Sequence, residues 1–99
     1  MRLSDDQIHA IKRLASQIAG EQAHVRVFGS RLDDGARGGD LDLMLVLSDP
    51  VANPALLAAR FSARVSRLMQ GRRVDVVVAA PDLMHLPIHD VAFREGKSL

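Results

Sequence analysis

The sequence contains no cysteine, no tryptophan and no tyrosine among its 99 residues. Without cysteine, disulfides and thiolate zinc sites are excluded, so carboxylates and histidines remain as side-chain metal ligands and oxygen-coordinated cations become the natural candidates. Three phenylalanines leave few rings on which single-stranded nucleic acid can stack. Since a net charge of +1 is also too small to indicate nucleic acid, we expect no direct nucleic-acid binding.

Long apolar segments and the common nucleotide-binding motifs are also missing. Apolar runs such as Leu43 to Leu47 are far too short to span a bilayer, and the amino terminus becomes acidic at Asp5 without an apolar signal region. The absence of G-x-x-x-x-G-K and G-x-G-x-x-G leaves no support for a Walker-type ATPase or a Rossmann enzyme. With 47% hydrophobic and 25% charged residues, we predict one cytoplasmic domain over residues 1–99 that has its own core and no membrane contact.

Local signals predict helices that alternate with strands. Capping residues and hydrophobic spacing indicate a helix from Ser4 to Gly20, a second from Asn53–Pro54 to Gly71 and a third from Leu86 to Gly96, while alternating or apolar β-branched runs indicate strands at His24–Phe28, Asp40–Leu47 and Arg73–Ala80. The uniformly apolar end of the second strand suggests burial on both faces. We therefore predict an α+β fold with α/β-like alternation, in which helices back a small mixed sheet.

The chemistry-bearing residues concentrate at Asp40 and Asp42. Residues two apart in a strand project from the same face, with roughly 7 Å between their Cα atoms. Two carboxylates this close repel each other, and a divalent cation between them relieves that repulsion. Mg²⁺ suits a sparse acidic site because it retains waters and substrate phosphates. The alternative interpretation is a strand start with two exposed acids, since D-x-D alone is a weak motif.

Two further features strengthen the metal–nucleotide interpretation. Asp75 lies inside an apolar strand, where a lone carboxylate costs free energy unless it is paired, hydrogen-bonded or metal-bound. If the second and third strands are neighbours, Asp75 joins the same cluster; alternatively it is an edge-strand acid or a partner of Arg72 or Arg73. Gly29 and Ser30 directly follow a strand, and such a turn either approaches a phosphate closely or is an ordinary turn.

The combination of these motifs resembles the DNA polymerase β-type nucleotidyltransferase superfamily. The shared pattern is Phe28-Gly29-Ser30, a nine-residue spacer, Asp40-Leu41-Asp42-Leu43 and a third aspartate at Val74-Asp75-Val76. Within that superfamily, the chain length and the stretch from Gly29-Ser30-Arg31 to Gly38-Gly39-Asp40 are similar to the minimal nucleotidyltransferases of bacteria and archaea. One departure is Gly39, where many relatives carry serine.

The resemblance implies a role for each matching residue. Asp40 and Asp42 would ligate two Mg²⁺ ions, Asp75 would complete the metal site and help to position or deprotonate an acceptor hydroxyl, and Gly29 and Ser30 would hold the β and γ phosphates of ATP. Arg31 would neutralise triphosphate charge. The hydroxyl would attack the α-phosphate in line and displace pyrophosphate.

The resemblance also implies a partner. Larger relatives bind base and acceptor with a second domain, so a helical toxin of the HEPN class is the expected partner, and one of its tyrosines is the expected AMP acceptor. A homo-oligomer is another way to complete the cleft. The alternatives are an antitoxin that neutralises by binding alone and a transferase that acts on a small molecule such as an aminoglycoside.

One basic stripe lies outside this pattern. Arg60, Arg64 and Arg67 recur at helical spacing, which indicates either a solvated face or a surface for an acidic partner. His85 and His89 have a four-residue spacing, but Pro87 between them argues against one continuous helix and we expect no histidine metal site.

Overall fold

The computed structural model describes residues 3–29 and 41–99, and these residues form three helices and four strands. The elements are α1 (Asp5–Ala19), β1 (His24–Phe28), β2 (Leu41–Val46), α2 (Pro54–Leu68), β3 (Val74–Ala79), α3 (Pro87–Glu95) and β4 (Lys97–Ser98). The predicted α+β class and all six predicted elements are confirmed. After the third helix the sequence indicates only a short tail, and this expectation is wrong, because Lys97 and Ser98 form a strand that pairs with β1. Within the described ranges, no helix is long and apolar enough to cross a membrane.

The two long helices begin at residues whose side chains satisfy free backbone N–H groups. Ser4 and Gln7 form a reciprocal capping box, with Gln7 N–H donating to Ser4 Oγ at 3.1 Å and Ser4 N–H donating to Gln7 Oε1 at 2.9 Å. Asn53 Oδ1 accepts from Leu56 N–H at 3.1 Å, directly before Pro54 in the first turn of α2. These local bonds place both helices where the sequence predicted them.

The sheet has the order β3-β2-β1-β4, so β2 is an inner strand and β3 is an edge. β2 pairs with β3 in parallel and with β1 antiparallel, and β1 also pairs antiparallel with β4. Because parallel neighbours need a long crossover, α2 connects β2 to β3. The sheet is therefore mixed, as predicted.

Different helices pack on the two faces of the sheet. On one face, α1 and α2 bury the main core, in which the fully or nearly fully buried side chains are Ile11, Ala15, Val25, Leu41, Leu43, Leu45, Phe61 and Val65. On the other face, Ala92 of α3 packs with Phe28 and Met44. Residues of β2 alternate between these two cores, which confirms that this strand is buried on both faces.

Helix α3 is attached to the sheet by two polar side chains, Arg26 and His89. Arg26 of β1 donates to the carbonyl oxygens of Ala92, Phe93 and Gly96 at 3.2, 3.1 and 2.7 Å. The Ala92 carbonyl also accepts from Gly96 N–H, so the guanidinium adds hydrogen bonds at the carboxyl end of α3, which is the negative end of the helix dipole. The carboxyl end of α3 is thereby held against β1.

We expect Arg26→Met to lower the free energy of unfolding by about 2 kcal/mol, because methionine keeps the apolar stem but removes all three donors. Urea denaturation measures the change. Arg94→Met removes an exposed charge from α3 itself and is the matched control. We expect it to alter the free energy of unfolding by about 0.5 kcal/mol or less. Equal losses in the two variants would show that Arg26 does not anchor α3.

Candidate functional site

The pairing of β2 with β3 places two carboxylates side by side. Asp42 is the direct register partner of Asp75, so their Cα atoms are about 4.8 Å apart and both side chains leave the same face of the sheet. The predicted neighbouring of the two strands is confirmed. Both aspartates lie on the α3 face, two residues before the buried Met44 and its register partner Val77.

The turn after β1 brings backbone against one of these carboxylates. Gly29 has a φ of 76°, in the left-handed region that favours glycine. A Cβ atom at this position would overlap Asp42 Oδ2. Phe28, the residue before it, is the β1 register partner of Asp42. Glycine is thus required here for two reasons, the backbone conformation and the close approach of the carboxylate.

Asp75 lies at the exposed side of the site. Its strand is the edge of the sheet and its side chain is 47% exposed. Arg73 Nε lies 3.4 Å from Asp75 Oδ1, so both features of the alternative interpretation, an edge-strand acid and an arginine partner, are present. A solvated pair of this kind stabilises the fold little. The exposed guanidinium instead balances charge beside two adjacent carboxylates.

Two serines of α2 anchor the start of β3, and sequence reasoning missed them. Ser66 Oγ donates to the carbonyl oxygen of Arg72 at 2.7 Å, and Ser62 Oγ donates to that of Val74. The backbone on both sides of Arg73 is thereby tied to the helix. The available signal was their spacing of four residues on the side of α2 that faces the sheet.

The structure brings together only part of the predicted site. Gly29, Asp42 and Asp75 meet at one end of the β1-β2-β3 strands. Ser30, Arg31 and Asp40 lie outside the described residues. Among residues 3–29 and 41–99, no group of three or more histidine, aspartate or glutamate side chains is arranged to hold a metal ion. The predicted metal roles therefore stay predictions.

His89 has a structural role that sequence spacing did not reveal. Its ring is buried, with Nδ1 2.9 Å from the Leu86 backbone nitrogen and Nε2 3.0 Å from the Val78 carbonyl oxygen. These partners define a neutral ring in which Nε2 carries the proton.

His85 has a different partner. Its Nε2 lies 2.6 Å from Asp90 Oδ1. This hydrogen bond, together with the charges of His85 and Arg94, lowers the pKa of Asp90.

Comparison with known proteins identifies the fold. No protein-family model and no curated protein matches the chain. Among solved structures, one of the tri-AMPylated Shewanella oneidensis HEPN toxin in complex with MNT antitoxin contains a similar chain, with a TM-score of 0.67 and 14% identity over 97% of this chain and 71% of that one. The fold is that of the MNT antitoxins.

Two more structures of toxin–antitoxin complexes share the MNT fold. A toxin–antitoxin complex with AMP-PNP gives a TM-score of 0.67 and 14% identity over 97% of this chain and 72% of the other. A mutant MntA–HpeT complex gives 0.65 and 15% over 98% and 71%. At these identities the comparison establishes the architecture, which agrees with the fold predicted from the aspartate pattern.

Gly29→Ala tests the crowding between the turn and Asp42. We expect a loss of about 2 kcal/mol in the free energy of unfolding, because alanine adds overlap with the carboxylate to the cost of a positive φ. Gly71→Ala is the matched control, since Gly71 has a φ of 84° and no other group within 4 Å of the point where a Cβ atom would lie. We expect this control to lose about 1 kcal/mol. Thermal unfolding of both variants gives the difference, and equal losses would refute the contact.

Proposed function

We propose that this protein is a Mg²⁺-dependent nucleotidyltransferase that acts as an antitoxin. In this proposal it transfers AMP from ATP to the hydroxyl group of a tyrosine on a helical HEPN toxin partner. The observation that carries the proposal is the in-register pair Asp42 and Asp75, which lies beside a glycine turn in an MNT antitoxin fold. The tri-AMPylated toxin and the AMP-PNP complex among the structural neighbours support the same chemistry.

The donor set fits a magnesium site. Two hard carboxylates lie on one sheet face, one of them half exposed, and in the sequence Asp40 stands two residues before Asp42. Mg²⁺ takes few protein ligands and fills its octahedron with waters and phosphate oxygens. When bound, it would neutralise phosphate charge at the reacting centre. Asp40, Asp42 and Asp75 are the residues that would hold it.

The residues of the chain then perform positioning and proton transfer. Gly29 and Ser30 bind the β and γ phosphates, Arg31 donates further hydrogen bonds to the phosphate oxygens, and the absent Cβ of Gly29 lets the backbone come close. Asp75 receives the proton of the acceptor hydroxyl. The acceptor oxygen bonds to the α-phosphorus while the bond from that phosphorus to the bridging oxygen breaks, and pyrophosphate leaves.

A protein acceptor suits the surroundings of the carboxylates. Four apolar side chains are exposed on α3 and the segment before it, which cover the same sheet face as Asp42 and Asp75: Met84, Leu86, Ile88 and Phe93. Met84 is 79% exposed. Clustered exposed apolar side chains are typical of protein interaction sites. Because β3 is the sheet edge, an acceptor can reach Asp75 from outside.

The second candidate function is neutralisation by binding alone. The Arg73–Asp75 ion pair favours it, since this guanidinium occupies one oxygen of a carboxylate that the transfer reaction needs. Against it stand the three aspartates, which a purely structural site does not require. The two functions differ in whether nucleotide reaches the partner.

The resemblance implies that the HEPN partner is encoded next to this protein, so the deciding experiment incubates the pure protein and the product of the neighbouring gene with Mg²⁺ and ATP labelled at the α-phosphate. We expect label on a tyrosine of the neighbour and loss of its toxicity. A complex that forms and blocks toxicity without any label would establish the binding-only function instead.

Asp42→Asn should reduce transfer by about a hundredfold or more, because the amide is neutral and binds Mg²⁺ poorly. Calorimetric titration with Mg²⁺–nucleotide should show weaker binding, while far-UV circular dichroism stays unchanged. Asp49→Asn, in the exposed turn after β2, removes the same charge away from the site and should retain full transfer. Loss of thermal stability in Asp42→Asn without any change in nucleotide binding would indicate a structural role.

A further inference from the structure

A basic groove runs along the outer surface of the α1–α2 layer, on the sheet face opposite the carboxylates. Its volume is about 440 Å³. We define the α1–α2 groove by six of its lining residues: Ala10, Arg13, Leu14, Arg64, Arg67 and Leu68. Both helices contribute arginine to its walls, and leucine and alanine form its floor.

The arginines of this groove have no counter-charge among the described residues. Within that part of the chain, no ion pair involves Arg13, Arg64 or Arg67. Helix α2 itself contains three arginines and no acidic residue. Arg64 and Arg67 are three residues apart on one helix, where like charges repel and weaken the helix slightly. The negative charges of an anionic partner would offset this repulsion.

The apolar floor decides which anion fits. Leu68 is 37% exposed and Leu14 is partly buried. Arginine stems can cover such side chains while the guanidinium groups stay at the rim. A nucleic-acid backbone offers phosphates but no apolar surface to cover leucines, and the chain has neither tyrosine nor tryptophan to stack bases. The groove instead matches a helix with an apolar stripe between acidic residues.

We propose that the α1–α2 groove binds an amphipathic, acidic α-helix of a protein partner. The leucines of the groove receive the apolar stripe of that helix, and Arg13, Arg64 and Arg67 pair with carboxylates on its flanks. The lining residues of α1 extend from Ala10 to Gln17 and span about two helical turns, or roughly 10 Å, so a helix of two to three turns fills the groove. This interaction is independent of nucleotide transfer, because α1 and α2 lie across the sheet from Asp42 and Asp75.

A designed peptide tests the groove directly. The probe is a fluorescein-labelled helical peptide of about 18 residues, with leucines at helical spacing and glutamates on both flanks. We expect saturable binding by fluorescence anisotropy. The combined Arg64→Gln and Arg67→Gln variant should weaken binding about fivefold, because two ion pairs are lost. Leu68→Ser should weaken it as well, because part of the apolar floor is lost.

The controls separate groove recognition from general charge attraction. Arg60→Gln removes one positive charge from α2 outside the groove, half the charge change of the double variant, and we expect binding to change by less than about twofold. A peptide of identical composition with permuted leucines should bind weakly. Equal binding of the permuted peptide, an equal loss in Arg60→Gln, preference for a DNA duplex or no saturable binding at all would each overturn the proposal. Circular dichroism of every variant confirms that the helices are intact.

Discussion

The parallel, in-register pairing of β2 with β3 is the constraint on which the rest of the site depends. It sets Asp42 beside Asp75, although 32 intervening residues separate them in the chain and α2 must cross the sheet between them. A slip of one residue would move every side chain of β3 to the opposite face. Asp75 would then enter the apolar core, where an unpaired carboxylate is very costly. The hydrophobic pattern of β3 and the position of its aspartate thus enforce the same register.

Burial of β2 on both faces makes that register rigid. Leu41, Leu43 and Leu45 enter the core under α1 and α2, while Met44 enters the core under α3. Interiors packed this closely tolerate little displacement. Asp42 is therefore held by a rigid strand, although it lies near a glycine turn and an exposed sheet edge. Rigid support of this kind is what positions charged groups for chemistry.

Local signals predicted what depends on neighbours in sequence. The capping box at Ser4 and the Asn53–Pro54 pair are satisfied within one helical turn, so they could be predicted directly from the residues. The double burial of β2 followed from its uninterrupted apolar run. The strand bounds predicted from the same patterns were one residue too long at both ends of β3, because pairing with β2 ends where the parallel ladder ends.

Features that depend on distant partners could not be predicted in this way. β4 contains two residues, Lys97 and Ser98, which carry no strand pattern of their own and pair only because β1 offers an open edge. The sequence indicated only that His85 and His89 should not form a metal site and gave no role to His89, whose ring joins the start of α3 to the Val78 carbonyl. The anchoring serines of α2 look like ordinary surface residues until β3 lies beside them. In each case the missing information was which backbone group of another element lies beside the residue.

The placement of α1 and α2 has a consequence for how a partner can be engaged. Their inner sides form the main core beneath the sheet, so their outer sides are the surface through which they can contact another molecule, and that surface is basic around Arg13, Arg64 and Arg67. The carboxylates of Asp42 and Asp75 lie on the opposite face of the sheet and make that face negative. An acidic partner helix in the α1–α2 groove is therefore little repelled by Asp42 and Asp75. The sheet and the helices packed on it separate the partner from these two carboxylates, and salt screens the repulsion that is left. Opposite charge on opposite faces lets one small sheet attract an acidic protein on one side and present the carboxylates of the proposed cation site on the other.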